Sequence, residues 1–187
     1  MNGDMVEINS NVFIPMPVTL IGTRIEGRVN FMAAGWVTRI NADPPQIGVG
    51  IHQSHATSGA IRTNGAFSVC FPDRSLVAET DYCGIVSGKK EDKSGLFSVF
   101  YGNSENAPMI AEAMVNLECR VVETVRGRTN DFFIADIRGA WASSTTVKDG
   151  KLDTQTAGFL LLTMPDNTYW TLGEPIARAW EIGRTDR

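Results

Sequence analysis

The sequence has little of what marks membrane proteins, secreted proteins and nucleic-acid binders. None of its apolar runs approaches the length of a membrane span. Residues 1–11 carry Asp4 and Glu7 and lack the basic start and apolar stretch of a secretory signal. No basic run is longer than Lys89-Lys90, and the net charge is −4. We therefore expect a cytoplasmic protein that binds neither membranes nor nucleic acid.

The chain also has few cysteines and histidines, three and two respectively. The three cysteines, Cys70, Cys83 and Cys119, form no Cys-x-x-Cys pair, which favours reduced thiols over a metal or dithiol site. The two histidines, His52 and His55, have no acidic or cysteine neighbours to complete a metal site. A Gly-x-Gly-x-x-Gly fingerprint is also missing, so a nicotinamide would bind only transiently. We expect no metal.

The sequence does contain many short strand-like segments between glycines and prolines. With 187 residues, 43% apolar and 20% charged, the chain suits one domain, predicted over residues 1–187. This density of strands predicts a mainly β fold, a barrel or a sandwich. The predicted strands are Val18–Ile21, Phe31–Ile40 broken at Gly35, Ile47–Ile51, Phe67–Phe71, Leu96–Tyr101, Leu117–Val125, Asp131–Ala142, Phe159–Met164 and Tyr169–Leu172.

Few helices are predicted. Thr57–Thr63 is one, with Asn64-Gly65 as a left-handed stop, and Ser75–Cys83 is another. Pro108–Val115 is a third, because proline suits the first turn of a helix. The polar segment 143–156 reads as a surface loop.

Two glycines lie on one face of the Ile47–Ile51 strand, at Gly48 and Gly50. They would let another backbone or a flat ligand approach the sheet closely, or they mark a barrel corner. The pattern leaves both interpretations open.

Three segments could hold a ligand. Ser54 and Thr57 flank a predicted helix start, where backbone N–H groups favour phosphate, although plain N-capping is the commoner role of such residues. The turn from Ser87 to Lys93 is rich in lysine and could supply a charge to a phosphate, or be a solvated loop. The strand from Asn30 to Thr38 has small residues among bulky ones, suiting close backbone approach to a ring or a tight core contact.

Read together, these segments resemble the flavin reductase-like family, and within it the flavoredoxin branch. The most specific match is Asn30 to Thr38 followed by Asp43-Pro44-Pro45, which resembles the family's Asn-x-Met-Thr-Ala-x-Trp-Val-Thr stretch ending in Asp-Pro-Pro. Further matches are Pro15-Met16-Pro17-Val18, His55-Ala56-Thr57, Gly65 to Cys70, Asp92-Lys93, Glu112-Ala113, Leu117-Glu118-Cys119 and Tyr169 to Gly173.

The resemblance implies an FMN-binding split β-barrel, six-stranded and Greek-key-like with a few short helices, that works as a homodimer. It implies FMN as cofactor, NAD(P)H as a transient electron donor and possible docking of a redox protein. The flavin would carry the chemistry, so no catalytic side chain is expected. The cofactor-binding residues it implies are Asn30, Phe31, Met32, Ala33, Ala34, Trp36, Ser54, His55, Ala56, Thr57, Cys70, Phe71, Ser87, Lys93 and Trp170.

Three positions depart from the family pattern. Ala33 stands where the family usually has Thr, His55 where it has Arg, and Cys70 where it has Asn. The His55 change weakens a phosphate contact at neutral pH. Three functions remain open: an NAD(P)H-dependent flavin reductase, a flavoredoxin-like electron carrier, and a flavin-binding protein without turnover.

Overall fold

The structure, a computed structural model, describes residues 5–184. The outer residues 1–4 and 185–187 of the predicted domain lie outside the described part, and the single-domain assignment stays a prediction. The strands are β1 (Met16–Pro17), β2 (Thr19–Ile25), β3 (Arg28–Ala34), β4 (Val37–Asn41), β5 (Gln46–His52), β6 (Ala66–Phe71), β7 (Val99–Phe100), β8 (Met109–Ile110), β9 (Val115–Arg126), β10 (Asn130–Ala142), β11 (Val147–Lys148), β12 (Lys151–Leu152), β13 (Leu160–Thr163) and β14 (Thr168–Thr171). The helices are α1 (Ala56–Asn64), α2 (Val77–Ile85) and α3 (Thr154–Ala157).

The largest sheet closes into a barrel. Its antiparallel order is β3-β2-β6-β9-β10-β5-β4, and the two outermost strands, β3 and β4, are consecutive in the chain. They are the halves of one long strand that bends at Gly35 and Trp36, where the Gly50 N–H still donates to the Trp36 carbonyl at 2.8 Å. Counting the bent strand once gives the six strands expected, and the predicted mainly β split-barrel fold is confirmed.

Adjacent residues on the barrel strands belong to two different cores, as strand alternation requires. One core fills the barrel and includes Ile21, Met32 and Val69. The other lies on the outer face beneath α2, and includes the neighbouring residues Leu20, Phe31 and Cys70. The first core also contains four side chains with no exposed surface: Val49, Ile61, Phe67 and Phe133.

Helix α1 carries the chain across the barrel from β5 to β6, which are not neighbours in the sheet. Its apolar anchor is Ile61, which is buried in the barrel core. The helix ends where predicted, because Gly65 adopts φ 66° and donates its N–H to the Ile61 carbonyl at 2.9 Å. Glycine adopts this left-handed conformation without the steric cost of a side chain.

The helix predicted over Pro108–Val115 is wrong. Met109 and Ile110 form β8 with β7, and β9 begins at Val115. The Asn116 side chain explains the difference: its amide accepts from the Ile110 N–H at 3.1 Å and donates to the Ile110 carbonyl at 2.9 Å. One side chain thus satisfies both backbone groups that a helix would have satisfied.

The remaining differences concern element bounds. The Ser75–Cys83 helix begins later, at Val77, after a 3-10 turn at Arg74–Leu76, and the Leu96–Tyr101 strand shrinks to Val99–Phe100. The segment 143–156, predicted as a loop, holds a 3-10 turn at Ser144–Thr146, the β11–β12 hairpin and the start of α3, which Asp153 caps.

The two strand glycines are covered by aromatic side chains rather than by a second backbone. An added Cβ at Gly48 would overlap the Phe132 ring, and one at Gly50 would lie 3.4 Å from the Trp36 side chain. The close approach is therefore found at Gly48, where the Phe132 ring makes it, whereas the contact at Gly50 is ordinary.

Within residues 5–184, no helix is both long and apolar enough to span a membrane.

Candidate functional site

A groove of about 240 Å³ opens between β3, the start of α1 and the chain that follows α2. Eight predicted site residues line it: Met32, Ala33, Ser54, His55, Ala56, Thr57, Ser87 and Lys93. They come from three separate parts of the chain, which the barrel and its two helices bring together. Such convergence is the geometric requirement for a binding site.

The N-terminus of α1 is open toward a ligand. His55 is the N-cap residue, its side chain makes no capping hydrogen bond, and the first turn contains no acidic residue. Ser54 Oγ instead lies 2.8 Å from His52 Nδ1, and Thr57 Oγ1 accepts from Asn30 Nδ2 at 3.2 Å. Neither hydroxyl caps the helix. The Ser58 N–H donates to the His55 carbonyl at 3.1 Å, which leaves the N–H groups of Ala56 and Thr57 for an anion.

Lys93 is buried beneath the groove, with 2% of its surface exposed. Its ammonium donates to the Val86 carbonyl at 2.9 Å and to the Cys83 carbonyl at 3.5 Å, at the end of α2. Burial lowers its pKa, since the charged form loses hydration. An ammonium has three N–H donors, so one is left for a ligand.

His55 stands at the mouth of the groove. Its Nδ1 lies 3.0 Å from Met32 Sδ, a weak acceptor. Burial, together with the charges of His52, Lys93 and Lys89, lowers the pKa of His55. The neutral form of the ring therefore predominates at pH 7.

Asn30 presents an unsatisfied acceptor next to Thr57. The residue is 4% exposed, and its Oδ1 has no hydrogen-bond partner within the described residues. A Cβ on Gly88 would overlap this oxygen. Because an unpaired buried carbonyl is costly, a donor from a ligand would stabilise this corner.

The charge in the groove is uniformly positive or neutral. Among the residues that line it within the described chain, none is Asp or Glu. Lys89 adds a further ammonium at the rim, 3.4 Å from the Ser54 carbonyl. The groove therefore favours an anionic ligand.

The other predicted residues lie elsewhere. Phe31 and Cys70 are fully buried in the outer core, Phe31 against Phe97, and burial raises the pKa of Cys70 to about 12. Phe71 is half-buried against Phe159, and Ala34 is half-buried at the end of β3. Trp36 and Trp170 are 49% and 52% exposed.

A second groove, about 630 Å³ and mainly apolar, begins where β3 ends. The bend at Gly35 and Trp36 forms one side of it, and residues 12–17 form the other. Ala33 lines the first groove and Gly35 the second, so the bent strand runs from one to the other.

Sequence reasoning missed the wall that α2 contributes. Cys83, Gly84, Ile85 and Val86 line the groove, and an added Cβ on Gly84 would make an ordinary contact with Ala33 of β3 at 3.4 Å. The sequence did contain one signal for this wall: the predicted helix ends at Cys83, close to the predicted site residue Ser87.

Comparison with known proteins identifies the family. The model of the flavin reductase like domain matches residues 11–160, most of the chain. The chain belongs to the flavin reductase-like family.

Solved structures of similar proteins agree in fold and in length. A flavoredoxin from Methanosarcina acetivorans is 52% identical, with a TM-score of 0.95 over 97% of this chain and 98% of that one. Flavoredoxin of Desulfovibrio vulgaris is 28% identical, with a TM-score of 0.88 over 97% of this chain and all of the other. An FMN-binding protein from Thermus thermophilus is 26% identical, with a TM-score of 0.79 over 95% of this chain and all of the other. This family member therefore has its fold in common with flavoredoxins over nearly its whole length.

Proposed function

We propose that this chain binds FMN and uses it to transfer electrons, in the manner of a flavoredoxin. The observation that carries the proposal is the basic groove at the open N-terminus of α1, lined by residues from three parts of the chain. The likeness to two flavoredoxins and to an FMN-binding protein supports the choice of ligand.

The residues of the groove fit the polar end of FMN. The free N–H groups of α1, with Ser54, His55, Thr57 and Lys93, would hold the phosphate. The unpaired Asn30 Oδ1 would accept from a ribityl hydroxyl, in a corner that Gly88 keeps open.

The strand from Asn30 to Trp36 gives the ring a path out of this groove. At about 240 Å³ the basic groove is below the usual range of roughly 300–1,000 Å³ for whole-ligand sites, which suits the phosphate end alone. The apolar groove beyond the bend at Gly35 suits the ring, and Trp36 offers it flat apolar area. For Phe31 and Cys70 only backbone groups remain as contacts, since both side chains are buried in the core.

When bound, FMN supplies the redox chemistry, and the protein binds, orients and shields it. Oxidoreductase activity agrees with the family. A flavoredoxin-like carrier is the primary proposal, because two flavoredoxins are similar over nearly the full length. An NAD(P)H-dependent flavin reductase is the alternative, which the description of the matching domain favours.

We also propose a homodimer in which the partner chain completes the ring site. Large apolar side chains are exposed on the N-terminal arm (residues 5–14) and the C-terminal tail (residues 173–184), including Ile14 at 76%, Ile176 at 99% and Trp180 at 87%. Trp170, which is exposed and donates a hydrogen bond to Thr163, would take part in such a contact. A cytoplasmic location, supported by three unpaired cysteines, and docking of a redox protein belong to the same proposal.

The visible spectrum of the freshly purified protein tests the proposal. A two-banded flavin spectrum that survives gel filtration supports a resident FMN. Anaerobic addition of NADH then separates the alternatives, since bleaching favours the reductase and an unchanged spectrum favours the carrier. A colourless protein that also fails to bind added FMN would refute FMN binding.

A further inference from the structure

His55 stands where a phosphate would need hydrogen-bond donors from the protein, yet its neutral ring has no free donor. Its Nδ1 lies 3.0 Å from Met32 Sδ, and a thioether can only accept. In the neutral ring the proton is therefore on Nδ1, and Nε2 holds a lone pair. A lone pair repels a phosphate oxygen, so neutral His55 opposes binding at the position that it occupies.

The groups around His55 keep it neutral while the groove is empty. His52 faces it from β5, Lys89 and Lys93 face it from the chain after α2, and Cys83 lies on α2 as a neutral thiol whose pKa burial raises to about 11. No Asp or Glu lines the groove in the described part of the chain. Burial first, and the electrostatic effect of His52 and the two lysines second, lower the pKa of His55 from its ordinary value near 6.5.

We propose that His55 takes up a proton on Nε2 when FMN binds, so that the site recognises the phosphate of the flavin through a proton-coupled contact. The inference rests on the proposed FMN function. The proton comes from solvent, a bond from Nε2 to hydrogen forms, and no bond of the flavin breaks. The new N–H donates to a phosphate oxygen, and the dianion stabilises the imidazolium that was disfavoured among lysines.

Proton uptake makes FMN binding tighter as the pH falls. With one proton taken up, the association constant rises by up to about tenfold per pH unit. The useful window is about pH 8.5 to about 6.5, above the second pKa of a phosphate monoester near 6, where the ligand stays dianionic. Riboflavin has no phosphate, so its binding should not depend on pH in this window.

Calorimetric titration of the whole protein with FMN, in buffers of different ionisation enthalpy, counts the protons. We expect uptake approaching one proton for FMN near neutral pH and none for riboflavin. His55→Gln should abolish the uptake. His52→Gln is the matched control: it removes a histidine that does not line the groove, while burial and the two lysines still lower the pKa of His55, so the uptake should remain.

Met32→Leu provides a second test without removing the histidine. It keeps the apolar volume but removes the acceptor of Nδ1–H, so neutral His55 gains a free donor and proton uptake should fall. FMN binding by the wild type without uptake, or undiminished uptake in His55→Gln, would overturn the proposal. Failure of the wild type to bind FMN at any pH would instead overturn the proposed function. If His55→Gln does not fold, the wild type still tests the proposal, because equal proton uptake on binding FMN and riboflavin would overturn it.

Discussion

Lys93 combines a structural contact with a proposed ligand contact. Replacing it by methionine keeps most of the apolar stem but removes the ammonium that bonds the Val86 and Cys83 carbonyls. A charge-assisted hydrogen bond contributes about 1.5–3 kcal/mol, so Lys93→Met should weaken FMN binding by about 10- to 150-fold. Fluorescence titration with FMN measures this loss.

Riboflavin and Lys90→Met provide the controls for this change. Lys90 is exposed and does not line the groove, so its loss should leave both affinities unchanged. If Lys93→Met weakens FMN and riboflavin equally, the lysine acts through the fold and the phosphate assignment is wrong.

Gly88 is a second residue whose role can be isolated. A Cβ there would overlap Asn30 Oδ1 and lie 2.9 Å from its Cγ, which would push the amide away from Thr57. Gly88→Ala should therefore weaken the binding of FMN and riboflavin alike, because the ribityl chain occurs in both. Equilibrium titration with the two flavins measures the effect. Gly95→Ala is the matched control, since nothing lies within 4 Å of its added Cβ; equal effects of both substitutions would remove Asn30 from the site.

At the scale of elements, the segment that carries β7 and β8 packs directly on the barrel. An added Cβ on Gly22 of β2 would overlap the Pro108 carbonyl and Ser68 Oγ. Backbone cannot yield as a side-chain tip can, so Gly22→Ala should destabilise the fold by about 1–3 kcal/mol or more. Urea unfolding measures the loss, and Gly50→Ala, whose Cβ would meet only ordinary contacts at 3.4 Å, should cost less. If Gly22→Ala and Gly50→Ala lower the free energy of unfolding equally, the segment that carries β7 and β8 can move away from β2.

The same segment shows what could and could not be predicted from sequence. Alternation predicted the long barrel strands, because burial on two faces leaves a period of two in the chain. Pro108–Val115 has helix-like composition, but Asn116, outside the window, satisfies its backbone instead. Closure of the barrel through one bent strand, and the groove wall from α2, depend on packing between distant parts of the chain. In the site, the motif match indicated Ser54 to Thr57 and Lys93, whereas the burial of Phe31 and Cys70 became visible only with the two cores.

Helix α1 is anchored to the barrel by Asp131. This residue is 1% exposed, accepts from Ser58 Oγ at 2.8 Å and pairs with Arg62, and both partners lie on α1. Burial raises the pKa of Asp131, but the bonds from Ser58 and Arg62 outweigh it and hold the pKa below its ordinary value. Asp131→Asn should destabilise the protein by about 1–3 kcal/mol at neutral pH.

The lowered pKa of Asp131 also predicts how the stability loss of Asp131→Asn depends on pH. A lowered folded-state pKa stabilises the fold fully above the unfolded-state pKa, near about 3.9, and the advantage over Asp131→Asn disappears as the pH falls through the lower folded-state value. Urea unfolding of the wild type and Asp131→Asn, from neutral to acidic pH, measures this difference in the free energy of unfolding. Asp136→Asn is the control, because the Asp136 carboxylate accepts a hydrogen bond from the neutral Gln46 amide at 3.0 Å and has no ion pair within residues 5–184. A difference that persists unchanged in acid would show that the anchor does not depend on charge.

At the scale of the whole molecule, the proposed dimer can be tested through the exposed apolar arm and tail. Ile176, Trp180 and Ile182 are 72–99% exposed in the single chain, an arrangement that water disfavours. We expect light scattering after gel filtration to give about twice the 20.4 kDa of one chain. Replacing these three residues by serine should shift the protein toward monomer and weaken FMN binding, because the partner would complete the ring site.

A polar variant of the same tail separates loss of contacts from general damage to the segment. Glu174, Arg178 and Glu181 alternate with the apolar residues and are exposed, so changing all three to glutamine alters the same stretch without removing apolar area. This variant should remain a dimer with unchanged FMN affinity. A serine variant that runs as a monomer and still holds FMN as tightly as the wild type would contradict the shared pocket, and the single-chain grooves at Lys93 and Trp36 would then have to account for all of the binding.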